Sequence, residues 1–175
     1  SWDDATFLNK AKITRAGKIT NAAIILLGRE ESEHFLSPAV CVIRWKLIAK
    51  EDKNKDFHNF HVPMIKSVEE ITTGYIRNNN YVYTVSGNIF PENMMRYDVF
   101  TLREPICNAI GHQDYGMGAR IELLEYEDEK LVIQNYGQFI PNSVEDVVEK
   151  DCPDSRYRNP FLMEAMCNIG MAETE

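Results

Sequence analysis

A β-hairpin in the second half is the feature that most constrains the fold of this 175-residue chain. Residues 120–126 alternate between polar and apolar side chains, and after a charged turn residues 131–133 return as an apolar strand. Before the hairpin, apolar side chains recur with helical spacing between residues 102 and 110. Strands next to helices predict an α/β or α+β fold, in which helices cover one side of a sheet of several strands.

Similar patterns predict mixed secondary structure in the rest of the chain. The apolar run Ile19–Leu27 does not alternate, so it is either a strand buried on both faces or a helix. Caps and prolines predict helix starts, and β-branched and aromatic runs predict strands. The further predicted strands are at 39–49 and 81–85, with a turn at 15–18 and a charged loop at 51–59. The further predicted helices are a helix end or linker with its cap at Asp3 or Asp4, a helix from Pro63 that ends at 78–80, and a helix capped by Ser143. A last helix is capped by Asn159, begins at Pro160, runs from Phe161 to Asn168 and is terminated by Gly170.

The charge balance limits what the chain binds. It has 19 Lys+Arg and 27 Asp+Glu, a net charge of −8, which argues against nucleic-acid binding by this chain alone, because duplex binding needs a basic face. Its apolar runs fall short of the roughly 20 residues that a membrane helix needs, so no membrane partner is predicted. The cysteines at 41, 107, 152 and 167 lack C-x-x-C pairs and dense spacing, and they predict free thiols in a cytoplasmic protein.

One segment, residues 102–115, carries the residue types from which we infer chemistry. Glu104 and Asn108 are four positions apart, so both side chains emerge on one face of a helix. A carboxylate and an amide in this arrangement suit a water-activating base and an oxygen ligand for Mg²⁺. The alternative is a solvated helix face without function, because this spacing is common. A helix that begins at Pro105 would instead make Glu104 its cap.

Two further short motifs complete the set of candidate residues. Asn135 and Gly137 follow an apolar strand, where an amide edge and a backbone without a side chain suit a purine, although such a pair is usually a turn. Residues 158–160, Arg-Asn-Pro, are typical of a helix start. His112 and Asp114 either fix the turn from the helix into the next strand or line a pocket.

Together these pieces resemble one protein family. Residues 102–115 have the pattern Leu-Arg-Glu-x-x-x-Asn-Ala-x-x-His-x-Asp-Tyr, and the Asn-x-Gly, the Arg-Asn-Pro and a helix ending in Gly follow. This order resembles the C-terminal ATPase-like domain of bacterial transcriptional regulators related to RecG helicases, which carry an N-terminal Schlafen/AlbA-type (divergent AAA) DNA-binding domain. Residues 17–28 also resemble the connector of that family, so the resemblance covers most of the chain.

The resemblance implies a Bergerat/GHKL-like mixed sheet layered with helices, the fold of the ATP-binding domains of gyrase, MutL and histidine kinases. It implies that Glu104 activates water, that Asn108 coordinates Mg²⁺, and that residues 135–139 face adenine. Several residues of this chain depart from the pattern of the family: Asn135 replaces Asp, Tyr136 replaces Pro, Gln138 replaces Gly, and Gln113 replaces Arg.

The same resemblance implies two regions. Residues 1–90 are predicted to be a smaller α/β connector after an absent N-terminal DNA-binding domain, and residues 91–175 are predicted to be the ATPase-like domain, truncated before its glycine-rich lid. The predicted function is a regulatory domain that binds ATP and Mg²⁺ and is at most a weak ATPase. It is predicted to contact DNA only through the absent domain, and a homo-oligomer is a further predicted assembly. The alternative is a degenerate ATPase fold used for dimerisation or protein contacts without ligand. No G-x-x-x-x-G-K-[ST] loop occurs, which excludes a helicase motor in this chain.

Overall fold

A computed structural model describes residues 2–49, 53–77, 81–83, 86–87, 89–90, 92–140 and 156–173 of the protein. The described helices are α1 (Asp4–Lys10), α2 (Asn21–Leu27), α3 (Met64–Glu70), α4 (Val99–His112) and α5 (Pro160–Asn168). The described strands are β1 (Thr14–Arg15), β2 (Lys18–Ile19), β3 (Ile43–Ile48), β4 (Asn54–Phe60), β5 (Tyr81–Tyr83), β6 (Glu92–Met94), β7 (Ile121–Tyr126) and β8 (Lys130–Gln134). Short 3₁₀ segments at Glu30–Leu36 and Tyr115–Met117 and a π-helical turn at Ile71–Tyr75 accompany them. The predicted α+β fold is confirmed.

A four-stranded mixed sheet forms the centre of the described fold, with the strand order β4–β3–β7–β8. β3 pairs in parallel with β7, from Ile43 opposite Ile121 to Ile48 opposite Tyr126, and it pairs antiparallel with β4. β7 and β8 form the predicted antiparallel hairpin. Alternate residues of β3 and β7 are buried, among them Trp45, so one face of the two central strands lies against the core.

Local capping explains where the first two helices begin. Asp3 caps α1, because its Oδ1 accepts a backbone N–H three residues further on at 2.7 Å. Thr20 caps α2 in the same way at 3.1 Å, which decides between the two interpretations of Ile19–Leu27 in favour of a helix. The predicted turn at 15–18 is confirmed, since β1 and β2 pair across it and Gly17 has a φ of +75°.

The predicted charged loop at 51–59 is wrong, because residues 54–60 form strand β4 at the edge of the sheet. The backbone of β4 pairs with β3 while its first five residues stay exposed on both faces. The alternation that marks a half-buried strand is therefore absent from its sequence. At this edge the N–H of Phe57 donates to the carboxylate of Asp56 at 2.8 Å.

One hydrophobic core joins α2, α3, the four-stranded sheet, α4 and α5. Ile106 and Ile110 of α4 are fully buried, and the core extends from Ala22 in α2 through α3, the sheet and α5 to Ala172. Residues of the predicted regions 1–90 and 91–175 share this core and the β3–β7 pair. The division between the two regions stays a prediction.

Several predicted boundaries agree with the described helices and strands. Pro63 immediately precedes α3, and α5 begins at Pro160. The predicted strand at 39–49 is shortened to β3. Residues 78–80 and the predicted helix at Ser143 lie outside the described residues.

Among the described helices, none combines the length and the apolar character that crossing a bilayer requires.

Gly28, which ends α2, gives a test of packing at this end of the core. Its φ of −65° suits any residue. A Cβ atom at this position would nevertheless collide with the carbonyl oxygen of Ile24 and lie 2.5 Å from the hydroxyl of Ser32. We expect Gly28→Ala to lower the free energy of unfolding by about 1–3 kcal/mol, measured by urea denaturation, because backbone atoms must move to admit the methyl group.

Gly74→Ala is the matched control for this substitution. Nothing lies within 4 Å of the Cβ position of Gly74, which stands in the helical turn after α3. Alanine favours helical structure over glycine, so we expect no loss of stability from this change. Equal destabilisation of the two variants would contradict the steric explanation.

Candidate functional site

Helix α4 carries two of the predicted site residues, Glu104 and Asn108, one turn apart. The helix begins after Asp98, whose carboxylate accepts two N–H groups of the first turn at 2.9 and 3.2 Å. Pro105 therefore lies inside the helix, where it removes one backbone donor. The alternative in which the helix begins at Pro105 and Glu104 is its cap is wrong.

The carbonyl oxygen of the Asn108 side chain is buried without a hydrogen-bond partner among the described residues. Buried polar atoms in folded proteins are bonded in the large majority of cases, and an orphaned one points to an ion, a water or a ligand. Amide oxygens are among the ligands of Mg²⁺. The side-chain oxygen of Asn108 is thus of a type that Mg²⁺ accepts, and its metal-binding role stays a prediction.

No group of three or more His, Cys, Asp or Glu side chains placed to hold a metal ion occurs in the described parts of the chain.

Glu104 contacts the polypeptide that follows α5. Its Oε2 accepts the backbone N–H of Glu173 at 3.2 Å. Beside it, Cys107 is fully buried, and burial, followed by the charge of Glu104, raises the pKa of its thiol to about 12. A thiol with that pKa stays protonated at neutral pH, so Cys107 contributes packing and is not a nucleophile in this state.

The fully buried side chain of Gln113 joins the end of α4 to two other segments. Its Nε2 donates to the carbonyl oxygen of Ala119, just before β7, at 2.8 Å. Its Oε1 accepts the N–H of Tyr136, just after β8, also at 2.8 Å. The N–H of Asp114 donates to the carbonyl oxygen of Tyr136 at 2.7 Å. These bonds bring the motif at 102–115 together with the Asn-x-Gly motif.

Asn159 brings the Arg-Asn-Pro motif to the same end of α4. It stands at the N-cap position of α5, but its side chain makes no capping bond. Its Nδ2 donates instead to the carbonyl oxygens of Gly111 at 3.1 Å and Gln113 at 2.8 Å. The predicted N-cap position of Asn159 is confirmed, but its side chain satisfies carbonyls at the end of α4 that lack helical partners instead of capping α5.

Arg158 holds the loop after β8. Its Nη2 donates to the carbonyl oxygen of Gln138 at 2.8 Å, and its Nη1 lies 3.5 Å from Oδ2 of Asp114. A Cβ atom on Gly137, whose φ is +153°, would lie 3.0 Å from Nε of Arg158. The glycine lets the guanidinium approach the backbone, and the predicted approach of a purine to Gly137 stays a prediction.

The remaining predicted residues lie around the same turn. The ring of His112 packs at a tilt on Tyr157, with centroids 4.9 Å apart. Asp114 accepts an N–H two residues further on at 3.1 Å and begins the following 3₁₀ turn, which is one of its two predicted roles. Asn135 is exposed just after β8. The end of α4 thus collects His112, Asp114 and Gly137, whereas Asn108 and Glu104 lie about one and two helical turns earlier on the helix.

Sequence reasoning did not assign Gln113 or Arg158 to the site. Each makes at least one contact with a residue more than twenty positions away, Gln113 with Tyr136 and Arg158 with Asp114, and such contacts leave no periodic pattern in the sequence. The sequence signal that could have identified them is that Gln113 lies inside the motif at 102–115 and Arg158 lies inside the Arg-Asn-Pro motif.

No protein-family model matches the chain, and no curated protein matches it. Its structure is similar to the crystal structure of the DIP2311 protein from Corynebacterium diphtheriae, with a TM-score of 0.71 at 16% sequence identity. The likeness covers 98% of this chain and 33% of that one, so the chain spans about a third of the length of this structural relative. At this identity the likeness shows the fold alone.

Gln113→Leu tests whether the buried amide holds the site together. Leucine keeps a similar volume but leaves the carbonyl of Ala119 and the N–H of Tyr136 without their partner. We expect a loss of about 2–4 kcal/mol in the free energy of unfolding, since each orphaned buried group carries a desolvation penalty. Gln134→Leu, on the exposed last residue of β8, is the control and should change stability by less than about 0.5 kcal/mol. Chemical denaturation that ranks the two variants equally would contradict this role.

Proposed function

We propose that the chain is a regulatory domain that binds ATP, or a related purine nucleotide, together with Mg²⁺ in a bacterial DNA-binding transcriptional regulator related to RecG. The buried, unpartnered Oδ1 of Asn108 is the observation that carries the proposal. The resemblance of residues 102–115 to the ATPase-like family and the convergence of the three motifs at the end of α4 support it.

The residues on α4 suit a magnesium–nucleotide site. Mg²⁺ keeps several waters and binds through one or two protein groups together with substrate phosphates. Oδ1 of Asn108 would be such a ligand, and the contact would satisfy an atom that is otherwise costly to bury. When bound, the ion supplies charge neutralisation to the phosphates. Glu104 would accept a proton from water. In this proposal the domain is at most a weak ATPase.

The loop after β8 suits the other end of the ligand. Asn135 is exposed there and offers both a donor and an acceptor to a purine edge. Gln113 and Asp114 hold this loop beside α4. Arg158, just before α5, bonds this loop from outside; its Nε is buried without a partner among the described residues, and a guanidinium suits an anionic ligand.

The net charge of −8 argues against contact between DNA and this chain alone, so the proposal includes a separate DNA-binding domain. In this proposal the nucleotide regulates by favouring one arrangement of that DNA-binding domain, and it does so only to the extent that it binds the alternative arrangements with different affinities.

A thermal-shift titration with ATP and ADP, with and without Mg²⁺, tests the proposal. Ligand at 100 times its dissociation constant stabilises the folded state by about 2.7 kcal/mol, and each kcal/mol raises the midpoint of a domain of this size by about 2–4 °C. We expect Asn108→Ala to remove the Mg²⁺-dependent part of the shift. Asn168→Ala, at the exposed end of α5, should leave it unchanged. A wild-type protein that shows no shift with either nucleotide would refute nucleotide binding.

An apolar groove supports a second candidate function, self-association of a degenerate ATPase fold without ligand. The groove has a volume of about 900 Å³ and lies between the β1–β2 hairpin, α2 and the following 3₁₀ segment. Three large side chains of its lining are exposed, Ile19 and Phe35 to 69% and Leu27 to 48%. Clustered exposed apolar side chains of this kind mark interaction surfaces.

The oligomeric state tests this second candidate. If two copies meet through the groove, Phe35→Ser should convert the dimer to a monomer in sedimentation velocity, because it removes a large apolar contact from each copy. Phe57→Ser, on the exposed strand β4, removes a similarly exposed ring away from the groove and should leave the dimer intact. A wild-type monomer at all concentrations would exclude self-association.

A further inference from the structure

The three residues Met171–Glu173, which we call the strap, return from the end of α5 to α4. The chain reverses at Gly170, which has a φ of +70°, and the N–H of Met171 donates to the carbonyl oxygen of Met166 at 2.9 Å. This is a helix end of the Schellman type, in which a left-handed residue turns the chain. The side chains of Met171 and Ala172 are buried in the core, so the strap is docked.

Three side chains hold the backbone of the strap. Oε2 of Glu104 accepts the N–H of Glu173 at 3.2 Å. The thiol of Cys107, one turn along the same face of α4, donates to the carbonyl oxygen of Met171 at 3.3 Å. The thiol of Cys167 on α5 donates to the carbonyl oxygen of Glu173 at 3.4 Å. The strap therefore ties α4 to α5 through backbone atoms.

The contact with Glu104 is the one of the three that joins a backbone N–H to a carboxylate. A hydrogen bond to an ionised carboxylate is about twice as strong as one between neutral groups, and thiols are weak donors. When the carboxylate is removed or engaged elsewhere, the strap keeps only two thiol contacts and its apolar packing.

We propose that Glu104 is a positioning residue that latches the strap onto α4, and that a ligand which engages Glu104 releases the strap. Through Glu104, the binding of a ligand to that face of α4 would then change the position of the strap after α5. By thermodynamic linkage, a ligand that releases the strap binds more tightly to protein in which the strap is already free. The latch itself is independent of the proposed function, whereas its release by Mg²⁺ and ATP rests on it.

Cys107 reports the state of the strap. It is fully buried under the strap, and burial raises the pKa of its thiol to about 12, so alkylation requires local opening. Cys41, just before β3, is also buried with a pKa raised to about 12, and among the described residues no hydrogen bond joins it to the strap. The ratio of the alkylation rates of Cys107 and Cys41 therefore separates release of the strap from general loosening of the core.

Two pairs of variants test the latch, with peptide-resolved mass spectrometry after iodoacetamide pulses at neutral pH. Glu173→Pro removes the donor N–H, while Glu173→Ala keeps it. Glu104→Ala removes the acceptor, while Glu104→Gln keeps a carbonyl oxygen that accepts the same N–H. We expect the rate ratio to rise about tenfold or more in Glu173→Pro and Glu104→Ala, to rise less in Glu104→Gln, and to stay at the wild-type value in Glu173→Ala.

Equal ratios within each pair would overturn the latch, and so would a parallel rise of the Cys41 rate that leaves the ratio unchanged. The wild-type protein is then pulsed with saturating Mg²⁺ and ATP, where we expect the ratio to rise. A thermal shift without a rise in the ratio would overturn release by the ligand. If neither nucleotide produces a thermal shift, the proposed function and the release fail together, while the variants measured without nucleotide still decide the latch.

Discussion

The parallel pairing of β3 with β7 is the constraint on which the rest of the structure depends. A parallel pair cannot be joined by a tight turn, so the chain between the two strands must cross back over the sheet. Here that connection contains α3 and α4, whose apolar faces enter the common core with the sheet. Because only a short segment with one 3₁₀ turn joins α4 to β7, and Gln113 bonds Ala119 across it, the end of the helix is fixed against the sheet. This junction is where the motif residues collect.

The contacts of Gln113 explain why an amide side chain suits this junction better than a guanidinium does. The site requires a donor for the carbonyl oxygen of Ala119 and an acceptor for the N–H of Tyr136, and a neutral amide has both. An arginine at this position would carry donors only. Glutamine therefore fits its surroundings, and Arg158 places a guanidinium against the same loop from another segment.

Periodic elements could be predicted from the sequence, whereas contacts between distant segments could not. The β7–β8 hairpin and α4 follow from repeated apolar positions, and the spacing of Glu104 and Asn108 follows from helical geometry. Strand β4 was predicted as a loop because an edge strand exposed on both faces has no alternation. Asn159 was predicted as a cap because its local pattern is that of a cap, but its amide bonds residues more than forty positions away. The orphaned oxygen of Asn108 depends in the same way on how several segments pack.

The outer edge of β4 affects whether copies of the protein aggregate at high concentration. An unpaired strand edge is a template on which another chain can add a strand and begin a fibre. In β4 the carboxylate of Asp56 already accepts the N–H of Phe57, so an incoming strand meets a negative charge where it would need a free donor. The remaining side chains at this end of β4 are polar or charged, apart from Phe57, so the exposed edge offers few apolar side chains against which another strand could pack.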